Sequence, residues 1–269
     1  MEKNEKTSTP VEARAPRPAP AAYTVLSRKR LTPNMLRITL GGTAMAKLAP
    51  DCEGGYFKLR FPDGGEGKAP VRSYTIRHQR PDSVDVDFVV HGEGGHAGPA
   101  VEWASVAAPG DEIEAGGPGP AKRLPEGMDR YLIAGDMTAL PAIAVNLERL
   151  PADARGIAVI EVQTEDDIQP IAHPDGIDLR WLLNPHPGTR PDLLAEALRE
   201  AVGASAAGGS GKIYGWAASE FASMQALRTY LRDECGLDRD HLYVSSYWKY
   251  GADDDGHRAA KQADAALAG

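Results

Sequence analysis

The chain has 269 residues, which at roughly 150 residues per domain suggests two domains. Lys and Arg number 30 against 38 Asp and Glu, a formal charge of −8, and so acidic a chain does not coat phosphate backbones, which argues against a nucleic-acid partner. The 29 glycines and 21 prolines mark a turn-rich chain, while 42% apolar residues supply enough material for a core and exclude wholesale disorder.

Residues 1–22 are polar and then rich in Pro and Ala, which predicts a disordered leader. From Tyr23 the pattern is short strands: Ala22–Leu31, Met35–Gly41, Tyr56–Phe61, Val71–His78, Val84–His91 and Glu112–Gly116. In the fifth, Val84, Val86, Phe88 and Val90 alternate with Asp85, Asp87 and Val89, so period 2 places four apolar side chains on one face. A short helix near Ala100–Ala107 and the Pro109-Gly110-Asp111 turn interrupt the strands. Six strands at this spacing predict a small antiparallel β-barrel over residues 23–127.

Beyond Asp129 the period changes. Tyr131–Ala134, Ile157–Val162, Leu179–Leu183, Lys212–Trp216 and Leu242–Trp248 read as strands. Between them, Leu140, Ile143, Ala144 and Leu147 repeat at helical spacing, as do Leu193, Leu194, Ala197, Leu198 and Ala201, and then Phe221, Met224, Leu227 and Leu231, with Gly236 placed to end the last of these helices. Alternation of this kind predicts a doubly wound, mostly parallel sheet over residues 128–251. Residues 252–269 form a C-terminal tail, read as a frayed helix with a solvated acidic start at Asp253, Asp254 and Asp255.

Two cysteines, Cys52 and Cys235, do not make a disulfide framework. With no signal-like start and no apolar run of 18 residues, the expected setting is the cytoplasm, without a membrane partner. The histidines show no HExxH spacing, His91 and His96 stand among glycines that impose no ligand geometry, and no metal site is expected. There is no GxSxG elbow for a hydrolase and no GxGxxG fingerprint of an ordinary dehydrogenase.

Three segments carry chemistry. The turn Gly135-Asp136-Met137-Thr138-Ala139-Leu140-Pro141 follows the first parallel strand: Gly135 allows a sharp turn, Thr138 can cap the helix and Pro141 fits its first turn, so bare amides there attract phosphate at the switch-point crevice. The strand Arg72-Ser73-Tyr74-Thr75-Ile76-Arg77 sets a tyrosine among hydroxyls and arginines, a set that can stack on a flat ring and neutralise a diphosphate. The Gly-rich run from His91 and Gly92 to Ala97, Gly98, Pro99 and Ala100 leads into a helix and can cradle phosphate.

Taken in order, RSYTIR (72–77), VDVDFVVHGEGGHAGPAVEWA (84–104), PGDEIEAGGPG (109–119), YLIAGDMTALPAIAVNLERLP (131–151) and SSYWKYG (245–251) resemble the ferredoxin-reductase-like flavoenzymes, and within them the siderophore-interacting protein and ferric-siderophore reductase family. The resemblance implies an FAD-binding barrel followed by a nicotinamide-binding domain. By that match Tyr74 stacks on the flavin, Thr75 faces its reactive edge, and Arg72, with Ser73 beside it, helps hold the FAD. His91, Gly92, Ala97, Gly98, Pro99 and Ala100 hold its diphosphate and adenosine parts, and Gly135, Asp136, Thr138 and Ala139 match the nicotinamide-side turn. Met137 stands where many relatives have an acidic residue.

The implied activity passes electrons from NADH or NADPH through FAD to a ferric siderophore, releasing Fe(II), which hard oxygen ligands hold more weakly. The flavin carries the chemistry, so no catalytic side chain is required. An anionic iron complex needs local positive charge, for which Lys58, Lys122, Arg123 and Lys249 are the candidates. Glu165, Asp166 and Asp167 after the second parallel strand favour NADH, because they repel a 2′-phosphate. The alternatives are a flavin reductase feeding a ferredoxin-type carrier and a non-catalytic siderophore-binding protein.

Overall fold

The computed structural model describes residues 19–62, 67, 69–90, 98–204 and 211–268. Six antiparallel strands, β1 (Ala21–Thr32), β2 (Met35–Gly41), β3 (Tyr56–Arg60), β4 (Val71–Gln79), β5 (Ser83–Val89) and β6 (Glu112–Gly119), close into a barrel in the order β1-β2-β5-β4-β3-β6. Phe57, Leu59, Phe61, Ile76, Val84, Val86 and Phe88 fill its interior. The opposite face of β5 is also covered: Asp87 receives two hydrogen bonds from Arg37 at 2.7 and 2.8 Å, and Asp85 is held by Thr39 and Arg80. The alternation in β5 therefore separates two buried faces, one apolar and one ion-paired. Gly116-Gly117-Pro118, whose Gly117–Pro118 bond is cis, continues β6, and the β3 pairing shifts register opposite it.

Helix α1 (Pro99–Val106) precedes β6. Then come β7 (Arg130–Gly135), α2 (Leu140–Glu148), β8 (Gly156–Val162), β9 (Ile177–Leu183), α3 (Leu193–Ala204), β10 (Ile213–Glu220), α4 (Phe221–Thr229), β11 (Leu242–Trp248) and α5 (Asp254–Ala268). The five strands form a parallel sheet in the order β11-β10-β7-β8-β9. Leu140, Ile143 and Leu147 of α2 pack on one face, and Leu194, Leu198, Leu227 and Leu231 on the other. Strand β10 runs four residues past the predicted end, because Ala217, Ala218, Ser219 and Glu220 are buried in the sheet. Beyond α4 a π turn over Tyr230–Glu234 follows, and Gly236, at φ 71°, ends the run as expected.

The tail is docked. Asp264 of α5 receives Arg228 and Gln225, the His257 ring meets the Ser246 hydroxyl at 2.9 Å, and Lys261 donates to Ser245 Oγ and to the Ser246 carbonyl. The helix lies along the free edge of β11, satisfying a carbonyl that a solvent-exposed edge strand leaves bare.

The barrel and the sheet share a seam. Met35 is wholly buried in the α2-side core together with Met137, and half-buried Leu31 and Val89 join them. Arg77 of β4 grips Glu148 of α2 through both guanidinium nitrogens at 2.7 and 2.5 Å. Asp167 accepts from Thr32 Oγ1, from the backbone and amide nitrogens of Asn34, and from Thr164.

Candidate cofactor and substrate site

The β3–β4 pair of the barrel reaches the seam through Arg77 of β4. Register pairs Tyr56 with Thr75, Phe57 with Tyr74 and Lys58 with Ser73. Alternation sends Phe57 inward and leaves Lys58 and Ser73 exposed, with Thr75 and Tyr56 half-buried. Thr75 lies two residues before Arg77, the residue that crosses to α2. Tyr56 lies flat against Gly119, so a Cβ there would strike its ring. Gly117, at φ 117°, holds a conformation that favours glycine. The Ser73 and Thr75 hydroxyls and the bare glycine backbone beside them make a polar strip on the outer face of this strand pair, while Arg72, half-exposed, and Tyr74 alternate to the other face.

Tyr74 already gives one face to the barrel, its ring centroid 4.2 Å from that of Phe88, and burial pushes its hydroxyl pKa up. Arg72 is paired with Asp254 at the start of α5, 3.6 Å away. The acidic start of α5 is thus partly spent on the barrel rather than solvated. Gly98 precedes α1 in extended conformation, Pro99 opens the helix and Ala100 is buried. His91, Gly92 and Ala97 lie outside the described residues, as does His96.

On the sheet side, the turn after β7 is built differently from the sequence expectation. Gly135 does not adopt a left-handed conformation; it is small because a Cβ would come within 2.6 Å of the Ala218 carbonyl and 2.8 Å of Ile143. Thr138 does not cap α2. Its hydroxyl donates to Asp136 Oδ1 at 2.5 Å and its amide to the same oxygen at 2.9 Å, while the amides of Ala139 and Leu140 go to the Asp136 carbonyl. The Ala139 side chain is buried, and Pro141 sits in the first turn as expected. Met137 is buried at the seam, its sulfur 3.7 Å from Gln163 Nε2.

Asp136 is therefore the hub. Its second oxygen accepts the Glu220 amide and the Trp248 indole N–H, each at 2.8 Å. Burial pushes its carboxyl above the usual range, against the pull of these donors. Glu220 caps α4 through Ala222 and Ser223, and its other oxygen takes the Tyr250 amide at 2.9 Å. Glu161, one residue beyond the Gly135–Ile160 pairing, is buried beside them. Burial first, then the neighbouring Asp136 charge, raise its pKa to about 7.

The four candidate cations do not form one patch. Lys58 is exposed on the barrel strip. Lys122 Nζ lies 5.8 Å over the Tyr243 ring, and its carbonyl takes Asn146 and the Trp216 indole. Arg123 pairs with Asp51 at 3.1 Å and lines a separate cavity of about 220 Å³ with Leu124, Asn146 and Arg149. Lys249 Nζ sits 4.7 Å over Phe221, at the carboxyl end of the sheet. Tyr243 lies near the start of β11 and Lys249 just past its end, roughly 20 Å apart at strand rise, so Lys122 and Lys249 mark opposite ends of that strand. The acidic run after β8 divides likewise. Glu165 and Asp166 are exposed, but Asp167 is consumed by the seam, which removes one of the three carboxylates on which the NADH expectation rested.

Other seam residues were not singled out from sequence. Tyr243 and Tyr247 of β11 lie near one another, with Tyr56 of β3 close to both. Their spacing in β11 is a period-2 signal that predicts a shared face.

Residues 128–251 match the family model for siderophore-interacting protein, and residues 24–70 and 63–122 match that for the siderophore-interacting FAD-binding domain. The ferric vibriobactin reductase ViuB of Vibrio cholerae is 32% identical over 88% of this chain and 92% of its own. An NADPH-dependent ferric-chelate reductase of Escherichia coli is 28% identical over 59% of this chain and 69% of its own. The crystal structure of the siderophore-interacting protein SipS from Aeromonas hydrophila superposes with a TM-score of 0.78 at 29% identity, covering 91% of this chain and 97% of the other.

Proposed function

The chain belongs to the siderophore-interacting protein family, and from that premise we propose that it is an FAD-dependent ferric-siderophore reductase driven by NADH or NADPH. The observation that carries the reading is the arrangement of the seam: Arg72 of the barrel strand pairs with Asp254 at the start of α5, which follows the carboxyl end of β11, so a flavin on the Arg72–Thr75 strand has the crevice at the carboxyl end of the sheet beside it.

In this reading Arg72 holds the FAD diphosphate together with the Gly98–Ala100 turn, Ser73 and Thr75 bond the edge of the flavin, and Tyr74 offers it the ring face that Phe88 leaves uncovered. When bound, FAD accepts an electron pair from the nicotinamide and delivers electrons singly, so one nicotinamide oxidised reduces two ferric complexes. Lys249, at the carboxyl end of the sheet, and Lys58, on the strip, attract an anionic iron complex. Arg123 is tied to Asp51 and contributes least. No helix among the described residues is long and apolar enough to cross a membrane.

The test is direct. The purified protein is yellow, oxidises NADH or NADPH when given a ferric siderophore, and forms Fe(II) that a ferrous chelator traps. A colourless protein that binds the ferric complex without forming Fe(II) overturns the reading in favour of a carrier. In the Lys249→Ala variant the apparent KM for an anionic ferric siderophore rises several-fold at unchanged flavin content; unchanged kinetics remove that residue from the site.

A further inference from the structure

The carboxyl end of the parallel sheet is roofed from both edges. From β11, Trp248 reaches over the end of β7, where its indole N–H donates to Asp136 Oδ2 at 2.8 Å. From β9, on the opposite edge, the segment 184–190 crosses toward it. Gly188, at φ 79°, lies so close that a Cβ would fall 2.9 Å from Trp248 Cη2 and 2.9 Å from Tyr250 Cδ2. The outer strands of a five-stranded sheet stand about 19 Å apart, so these two segments meet over its middle.

Beneath the roof the polar groups are unequally satisfied. Asp136 and Glu220 have several donors each. Among the described residues, the Asn184 side chain is the one donor beside the buried Glu161, and the Asn184 amide nitrogen, itself buried, makes no hydrogen bond of normal geometry. Buried polar groups without full partners are rare in folded chains and mark places that a water or a ligand completes.

The roof is also attached in a way that lets it lift. Trp248 is half-buried, and among the described residues its side chain makes one hydrogen bond. When it leaves, Asp136 keeps three donors, Thr138 N, Thr138 Oγ1 and the Glu220 amide, so the buried carboxylate is not stranded. Across the gap stands a glycine, with no side chain to interlock with the indole.

We propose that Trp248 is a removable stopper of the dinucleotide crevice, and that Glu161 and Asn184, uncovered when it lifts, receive hydroxyl or amide groups of the entering nucleotide. The inference rests on the reading that this crevice takes a nicotinamide dinucleotide. It assigns Trp248 to the control of affinity, and Glu161 and Asn184 to the floor of the site. Asp136, despite its place in the turn, becomes the anchor of the stopper rather than a ligand contact.

The flavin-loaded full-length protein is titrated with NAD⁺ and NADP⁺ by calorimetry, and tryptophan emission is quenched with acrylamide before and after saturation. Trp248→Phe keeps an aromatic side chain, smaller than the indole and without its N–H, so the bound nucleotide competes with a weaker stopper and affinity rises about tenfold. Gly188→Ala pushes the two halves of the roof apart and moves affinity in the same direction. Of the four tryptophans in the chain, one becomes accessible to acrylamide when the wild type is saturated, and the Trp248→Phe variant shows no such gain. Unchanged or weaker binding in both variants, or unchanged accessibility in the saturated wild type, makes Trp248 a fixed wall and overturns the proposal. So does a wild type and variants that all fail to bind either nucleotide. Flavin content, and Fe(II) formation by photoreduced wild type in the absence of nucleotide, are measured separately. Failure there sinks the reductase reading while leaving the stopper result interpretable.

Discussion

Replacing Glu161 by Gln removes a titration and leaves the shape of the side chain. In the folded chain Glu161 releases its proton near pH 7, against 4.5 for an ordinary glutamate. The folded state therefore binds this proton more tightly than the unfolded state. The resulting stability is fully present below about pH 4.5, declines as the pH rises, and is lost once the pH passes the folded value near 7. A difference of about 2.5 units at 1.36 kcal/mol each sets the loss at about 3 kcal/mol. Glutamine is neutral throughout and does not incur it. Thermal melts of both proteins at about pH 4 and about pH 8.5 isolate the effect, since every other titrating group is common to the two. The expected result is near-equal Tm at the lower pH and a variant more stable by roughly 6–12 °C at the higher one. Melting curves that stay parallel across this range would falsify the assignment of the raised pKa to Glu161. Asp136, with four donors, would then be the group to examine.

Met35→Ala deletes a fully buried side chain where the barrel enters the sheet's core, and chemical unfolding should show a loss of about 2–5 kcal/mol with no change in the isolated β1–β2 pairing. Asp167→Ala leaves the donors of Thr32, Asn34 and Thr164 without their acceptor, a loss of about 3 kcal/mol or more by the same measurement. Gly119→Ala forces the Tyr56 ring off its seat at the strip; flavin affinity, read by fluorescence, should weaken about tenfold or more while the α/β half keeps its near-ultraviolet signature.

Much of the architecture was legible because both halves carry strong periodic signals. Met35–Gly41 and Leu242–Trp248 form strands over the residues that the pattern predicts, and the parallel strands were found from continuous apolar runs that two covered faces require. What escaped depends on partners distant in sequence. Nothing local in Gly135 distinguishes a turn glycine from one pressed against the Ala218 carbonyl. Thr138 has the composition of a cap, yet Asp136 two residues earlier captures its hydroxyl. The acidic stretch Glu165-Asp166-Asp167 looks uniform, but Asp167 alone points into a nest of barrel donors 133 to 135 residues away. The site was half legible for the same reason. The barrel strand announces itself through Arg72, Ser73, Tyr74 and Thr75 in succession, whereas Trp248, Gly188, Glu161 and Asn184 come from four separate segments and meet only in three dimensions.

The burial of Met35 among α2-side residues has a consequence for what counts as a unit in this protein. A chain cut where barrel gives way to sheet would leave one fragment with an apolar plug projecting into water and the other with the matching socket open. The composition break in the sequence and the limit of cooperative unfolding then need not coincide. The shared core and the Arg77–Glu148 pair predict that both halves unfold in one transition, and on the function proposed above the spacing between the two nucleotide sites would be set by a shared interior rather than by a hinge.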